Sequence, residues 1–434
     1  MIREWSTRRL REVAELRVSS VDKHVSEDEV PVRLCNYVDV YKNDRITDRV
    51  EFMHATATKE EVERFRVRSG DVLITKDSEM WTDIGVPALV EYEADDLVSG
   101  YHLALLRPLC GVITGSFLLR ALQTPDVAHQ MHVAATGVTR YGLSHADIKS
   151  VVVPVPPPED QAAIVRFLDH ADRRIQRYIR AKQKVIRLLE EQASVRTGEA
   201  MRNPACTIER LGNIATEHLR PVEREDAESY VALGLYNRGR GVFHKPARLG
   251  AELGDSTFSW VKAGDLVISG QFAWEGAVAL ASCEDDRKIV SHRYYLLRGR
   301  ENRATTSYLW ALLRSDFGAM LLDLHARGAA GRNRPLNLRT LLKEPVPVPP
   351  LQVQLALAGL IEAIPPRRTQ VASAIALAGE FRARLIADVV TGKLDVREAA
   401  ERLPDEIEWA ESLDEIDVGG TLEEDVEDLE AVDA

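Results

Sequence analysis

"VPVPPPEDQ", Val153 to Gln161, returns as "VPVPPLQVQ" at Val346 to Gln354. The two stretches start 193 positions apart, nearly half of the 434-residue chain. A strand-like Val-Pro run that turns through prolines into a helix-forming segment is unusual once. Written twice at such a distance, it points to an internal duplication, which has to be settled before any local reading.

The duplication extends on both sides of the corner. "SGDVLIT" (Ser69 to Thr75) matches "AGDLVIS" (Ala263 to Ser269), each a Gly-Asp turn running into an apolar strand. Trp81 and Trp274 follow, and each leads into an Ala- and Val-rich run, "GVPALV" and "GAVALA". That context predicts both indoles in the core. "SFLLRALQTPD" and "SYLWALLRSDF" carry a helical period, and "GVTRYGLS" (Gly137 to Ser144) parallels "GRNRPLN" (Gly331 to Asn337) just before the corners. Two copies of one α/β unit account for the whole pattern.

After the first corner, Leu168, Ala171, Ile175, Tyr178, Lys182, Val185 and Leu189 alternate steps of three and four, the seam pattern of a coiled coil. From Glu159 to Arg196 such a helix would be about 57 Å long at ~1.5 Å per residue, more than a globular domain needs. After the second corner, an apolar piece from Leu351 to Ile364 meets Pro365 and Pro366. A kink or restart is expected there, because proline lacks the amide hydrogen and clashes with the preceding turn. Val371, Ala374, Ala378, Phe381 and Leu385 then resume the three-four spacing. A long helix with one apolar stripe gains its stability from packing, so the two helices are expected to pair, antiparallel.

The net charge of −12 is unevenly spread. Glu401 to Ala434 holds fifteen Asp or Glu and one Arg, a net of −14, so residues 1–400 carry +2. The body can therefore present basic patches to a polyanion despite the acidic total. The tail has too little apolar surface to fold alone; it reads as a solvated extension, with competition for a DNA-facing surface as the sharper hypothesis. Cys35, Cys110, Cys206 and Cys283 lie far apart without a Cys-x-x-Cys pair, so they read as ordinary buried thiols rather than a disulfide framework or zinc knuckle. The charged start and the lack of a long apolar run predict a soluble, cytoplasmic protein with no membrane span.

With these residues assembled, the chain resembles the specificity subunit of a type I restriction-modification enzyme. The Pro-Pro-x-x-x-Gln corners at Pro156 to Gln161 and Pro349 to Gln354, and the closing "VVTGKLDVRE" (Val389 to Glu398), carry the likeness. "RLCNYVDVYKND" (Arg33 to Asp44) and "NRGRGVFHKP" (Asn237 to Pro246) resemble variants of the family's recognition domains. The resemblance implies an α/β (α+β) fold: two similar target recognition domains separated by two long antiparallel coiled-coil helices, with an internal pseudo-twofold repeat. The expected boundaries are 1–152 and 201–345 for the domains, 153–200 and 346–398 for the corners with their spacer helices, and 399–434 for the acidic tail. It further implies double-stranded DNA with a bipartite site as the ligand, and two methyltransferase subunits and restriction/translocase subunits as partners. S-adenosylmethionine, ATP and Mg would be used by those partners, and no cofactor by this chain.

No catalytic motif competes with that reading. The chain lacks [DNS]-P-P-[YFW], a Gly-rich cofactor loop after a strand, a phosphate loop and H-E-x-x-H; "TGKL" at Thr391 has the Gly-Lys pair without the preceding glycine. DNA contact is instead expected from loops rich in Arg, Lys, Asn and Gln, which position on phosphates or read base edges. In the first half these are Lys42, Asn43 and Arg45, then Lys76, then Thr139, Arg140 and Tyr141. In the second half they are Asn237, Arg238 and Arg240, then Gln271, then Arg332, Asn333 and Arg334. The duplicated Gly-x-[TN]-Arg, at Gly137 to Arg140 and Gly331 to Arg334, is the sharpest feature, because glycine admits a close phosphate and arginine is a five-donor fork. A coiled-coil scaffold that does not touch DNA would explain the helices, but not these paired arginine loops.

Overall fold

The computed structural model describes residues 5–326 and 334–404. The acidic stretch from 405 onward and residues 327–333, which include Arg332 and Asn333, lie outside the described residues. Two compact units divide the chain: the described parts of Met1–Ile179 and Ala376–Ala434 form one, and Arg180–Ile375 forms the other.

A five-stranded sheet organises the first unit, in the order Ala14–Val18, Leu103–Pro108, Val72–Thr75, Pro87–Val90, Arg45–Ile46. Its neighbours are antiparallel except for the short Arg45–Ile46, which joins in parallel. A second sheet places Val30–Cys35 between Met53–Ala57 and Leu97–Ser99. The second unit carries the same theme in four antiparallel strands, Ala215–Glu217, Tyr294–Gly299, Leu266–Ser269 and Val278–Leu280.

The repeated Gly-Asp turn has one physical cause in both units. Gly70 and Gly264 adopt φ of +90° and +82°, a region open to glycine and strained for other residues. The carboxylates that follow are buried and held by arginines, Arg107 and Arg298 from the neighbouring strand and Arg220 from the loop after Ala215–Glu217. Arg107 donates to Asp71 at 2.8 and 2.7 Å, and Asp265 accepts from Arg298 and, at 2.7 and 3.0 Å, from Arg220. A buried carboxylate without such partners would be costly.

Each proline corner is a short edge strand, where a missing amide hydrogen removes nothing from a ladder. Val152–Val155 pairs with Ser6–Arg9, and Pro345–Val348 pairs with Thr207–Arg210. The glutamines that close the corners, Gln161 and Gln354, are 1% and 0% exposed and make equivalent bonds. The Gln161 side chain donates to the carbonyls of Val112 (3.0 Å) and Pro156 (2.9 Å), and its oxygen accepts from the Thr114 amide at 3.0 Å. Gln354 donates to the carbonyls of Arg303 (3.2 Å) and Pro349 (2.8 Å) and accepts from the Thr305 amide at 2.9 Å. Thr114 and Thr305 are themselves the N-caps of the core helices Gly115–Leu122 and Thr306–Arg314. One side-chain amide thus ties the start of each long helix to the start of a core helix.

The central helix runs unbroken from Pro158 to Met201, 44 residues. Leu351–Glu362 ends at Ala363, and Ile364–Val390 begins anew with Pro365 and Pro366 in its first turn, where the missing amide hydrogens need no partner. This is the restart expected from the sequence. In the first unit, Ile164 and Leu168 of the central helix share a core with Ile386, Val389 and Val390. Ion pairs from Asp160 to Arg397 (3.7 Å) and from Asp172 to Arg382 (3.0 Å) show the antiparallel run. In the second unit, Ala193 and Ala200 pack with Leu357, Ile361 and Ile364. The helices pair and also seal the domain cores; each fully buried Leu or Ile contributes roughly 1.5–3 kcal/mol.

Three sequence expectations need correction. Tyr178 and Val185, read as seam residues, are 45% and 44% exposed, and Ile179 and Ile186 turn inward in their place. Phe381, 57% exposed, yields its seam position to Arg382. A straight helix advances 3.6 residues per turn, so a stripe read at 3.5 drifts onto its flank within two heptads. Among the cysteines only Cys35 is buried, while Cys110 and Cys283 are exposed.

Candidate nucleic-acid interface

In the first unit, three segments converge beyond the strand Val72–Thr75. That strand continues through Lys76 into Asp77–Ser78, which pairs with Tyr141–Gly142 and so draws in the late loop. Gly137, at φ +153°, closes the loop: a Cβ there would lie 1.9 Å from the Arg140 carbonyl oxygen. Thr139 and Arg140 are exposed and Tyr141 is half-buried. Lys76 forms an ion pair with Asp77. His102 links the two segments, its Nδ1 3.2 Å from Asp77 Oδ2 and its Nε2 3.1 Å from Arg140 Nη2. Arginine can only donate, so Nε2 must accept, and the ring is neutral with its proton on Nδ1, aimed at Asp77. Burial holds the His102 pKa below its ordinary value; Arg140 adds to that, and Asp77 opposes it.

Aromatic groups border these cations. The Tyr37 hydroxyl lies 3.2 Å from Ser78 Oγ, and its ring stacks on Tyr41 at 5.5 Å. Trp81 meets His132 edge-on at 5.5 Å and is 48% exposed, so the expectation of a core indole is wrong for this residue. A 3-10 turn, Trp81–Asp83, separates it from the strand Pro87–Val90 and lifts its ring off the core.

Lys42, Asn43 and Arg45 are not brought to this cluster. Tyr37, at the start of the helix Tyr37–Lys42, faces Ser78, whereas the other end leads to the central helix. Lys42 is exposed, and Asn43 Nδ2 donates to the Asp39 carbonyl at 2.8 Å. Arg45 pairs with Glu91 and, at 2.9 Å, with Asp169.

The second unit assembles its cluster from equivalent segments. Asn237–Gly239 forms a 3-10 turn in which exposed Arg238 takes a left-handed φ of +57°, uncommon for a residue with a Cβ. Asn237 Nδ2 donates to the Glu275 carboxylate, and Arg240 lies 5.3 Å over the Tyr236 ring. Gln271, half-buried, follows Gly270, whose carbonyl accepts from the Leu336 amide at 2.7 Å and fixes the late loop beside it. From that loop Arg334 covers the Trp274 ring at 4.6 Å and donates to Asp323 Oδ1 at 2.7 Å. Trp274 is half-buried under a guanidinium rather than in the core, a second correction.

The sequence reading missed Tyr37, Asp77 and His102 in the first unit and Tyr236 and Glu275 in the second. Neither His102 nor Asp77 belongs to a basic pattern, and only tertiary pairing places them beside Arg140. Among the described residues no group of three or more His, Cys, Asp or Glu could hold a metal ion, and no helix is long and apolar enough to cross a membrane. Exposed cations beside aromatic edges and glycine turns can hold phosphates and meet base edges.

Each of the two α/β units carries an arginine loop, and each core is closed by helical segments that follow the two proline corners. Residues 2–186 match the family described as the type I restriction modification DNA specificity domain. A similar curated protein is the "Putative type I restriction enzyme MjaX specificity subunit" of Methanocaldococcus jannaschii, 24% identical over 172 residues. The match covers 39% of this chain and 40% of that protein, so it spans about two fifths of the relative's length. Among solved structures, one described as the structural basis underlying complex assembly and conformational transition of the type I R-M system aligns with TM-score 0.59. It shares 16% identity and covers 91% of this chain and 100% of that one, which shows the fold. The type I restriction-modification S subunit from M. genitalium aligns at TM-score 0.47 with 14% identity, over 89% of this chain and 96% of that one.

Proposed function

We propose that this chain is the DNA sequence-specificity subunit of a type I restriction-modification complex. Each recognition domain reads one half of a bipartite target, and the paired helices set the gap and dock two methyltransferase subunits. The observation that carries the reading is the duplication of a whole device. The same glutamine keystone, Gly-Asp turn and Gly-x-[TN]-Arg motif occur in both halves, as two separate half-sites require. Successive major grooves on one face of B-DNA recur at ~34 Å, a distance that a rigid helix pair can span. Methyl transfer with S-adenosylmethionine, and translocation and cleavage with ATP and Mg, belong to the partner subunits. The chain itself contributes recognition.

Mapping methylated bases across the genome of cells with and without this gene tests the proposal. The expected result is one bipartite, non-palindromic motif that is modified only when the gene is present. Identical methylomes would overturn the assignment.

A further inference from the structure

The loops that begin at Asn43 and Asn237 lie 194 positions apart, close to the offset of the repeat, and each is fastened to the long helices by the same kind of joint. In the first unit Arg382, on the C-terminal helix, donates from Nε and Nη2 to Asp172 of the central helix at 3.0 and 3.1 Å. Nη2 also donates to Asp44, between Asn43 and Arg45. Behind it Arg120, only 2% exposed, bridges Asp169 and Asp172 at 2.6 Å each, while Asp169 also takes Arg45. In the second unit Arg368, again on the C-terminal helix, pairs through Nε with Glu190 of the central helix at 2.9 Å. It reaches the Gly239 carbonyl through Nη2 at 3.3 Å. Gly239 is pressed on the other side by Arg314, whose Nε would lie 2.4 Å from a Cβ placed there.

The two joints differ in detail, since one loop offers a side-chain carboxylate and the other a backbone carbonyl. Their logic is shared: one C-terminal-helix arginine grips one central-helix carboxylate and one loop of its unit; the loop at Asn43 lies outside the Arg140 cluster but continues the helix Tyr37–Lys42, whose first residue faces Ser78 within it. A planar guanidinium with several donors can hold both at fixed geometry, which lysine's single nitrogen does poorly. We propose that Arg382 and Arg368 are positioning residues for sequence recognition, each setting the loop of its own unit against the helices without touching bases. This rests on the DNA-reading function proposed above. A shift of about 1 Å in such a loop is enough to cost roughly a hundredfold in a geometry-dependent step.

The test uses the full-length chain expressed with its methyltransferase and restriction partners. Arg382→Gln and Asp172→Asn, on different helices, should relax base discrimination at the same half-site by about tenfold or more, with the other half-site unchanged. Arg368→Gln and Glu190→Gln should relax only the opposite half-site, and Arg382→Lys should recover part of the loss. Amide hydrogen exchange gives a readout independent of methylation. Arg382→Gln should speed exchange in residues 42–46 and not in 237–241, and Arg368→Gln should do the reverse. If Arg382→Gln does not accumulate as folded chain, Asp172→Asn and Arg382→Lys supply the same comparison. Equal effects on both loops, relaxation of one and the same half-site by both arginine variants, or unchanged exchange in a system that methylates a bipartite motif would overturn the joint. A wild-type system without any sequence-dependent methylation would overturn the DNA reading instead, whatever the exchange pattern shows.

Discussion

A single neutral imidazole decides how freely Arg140 can act. His102 accepts from Arg140 and faces Asp77, with Lys76 paired to the same carboxylate and the Tyr101 ring 3.6 Å away. Its pKa is held below the unfolded value of about 6.5, burial being the main cause and Arg140 the next depressing one. The neutral form is therefore the one that folding favours. Its contribution to stability is complete above about pH 6.5 and is lost as pH falls through the lower folded pKa. Protonation also removes the acceptor and adds a positive charge beside Arg140, freeing the guanidinium to meet phosphate. Nonspecific DNA affinity of the complex should accordingly rise as pH is lowered from 7.5 to 5.5. His102→Gln, which keeps an acceptor without titrating, should flatten that rise, and Arg140→Ala should lower affinity with a salt slope shallower by about 0.9. NMR titration of His102 alongside binding isotherms checks this; equal pH dependence in wild type and His102→Gln would reject it. The duplicated Gly-x-[TN]-Arg made Arg140 legible in the sequence. His102 was not, because its role depends on a strand pairing that no local pattern announces.

At the scale of elements, the most legible features were those whose chemistry is fixed by covalent geometry. Proline at a corner, glycine before a buried aspartate and a proline pair restarting a helix all follow from backbone constraints that hold in any context. The seam was less legible: Ile179 and Tyr178 are neighbours, both apolar enough to bury, and the choice between them depends on the helix's true pitch. Trp81 and Trp274 were misplaced for a related reason, since a 3-10 turn interrupts the strand pattern just where each indole falls. The corner glutamines test how much these elements depend on one side chain. Gln161→Leu would strand the Thr114 amide and the carbonyls of Val112 and Pro156 in a buried site. The expected cost is about 2–4 kcal/mol, because a buried group without its partner bears its full desolvation penalty. Glu159→Gln, two residues away and exposed, should change stability by no more than about 0.5 kcal/mol. Chemical denaturation of the two variants checks the contrast, and matching midpoints would mean the keystone bonds are dispensable.

For the molecule as a whole, duplication was the decisive signal, because an offset of 193 survives where local identities do not. It also isolates where a ruler can be lengthened without disturbing what it holds. The units divide between Ile179 and Arg180 on the central helix and between Ile375 and Ala376 on the C-terminal helix. The joints at Asp172 with Arg382 and at Glu190 with Arg368 each fall inside one unit. Four helix-forming residues inserted at both divisions add about 6 Å to each helix at ~1.5 Å per residue, and turn it by only about 40° beyond a full turn. The joints of Asp172 with Arg382 and of Glu190 with Arg368, and both glutamine keystones, keep their partners. Base pairs stack at ~3.4 Å, so the unspecified gap in the methylated motif should grow by about one to two base pairs while both half-sites stay the same. Inserting into the central helix alone should cost stability as well, since the antiparallel pairing would have to slip by a turn. Methylome mapping with the doubly lengthened chain reads the outcome directly: unchanged spacing with altered bases would show that the helices do not measure the gap, and that recognition is set within the domains alone.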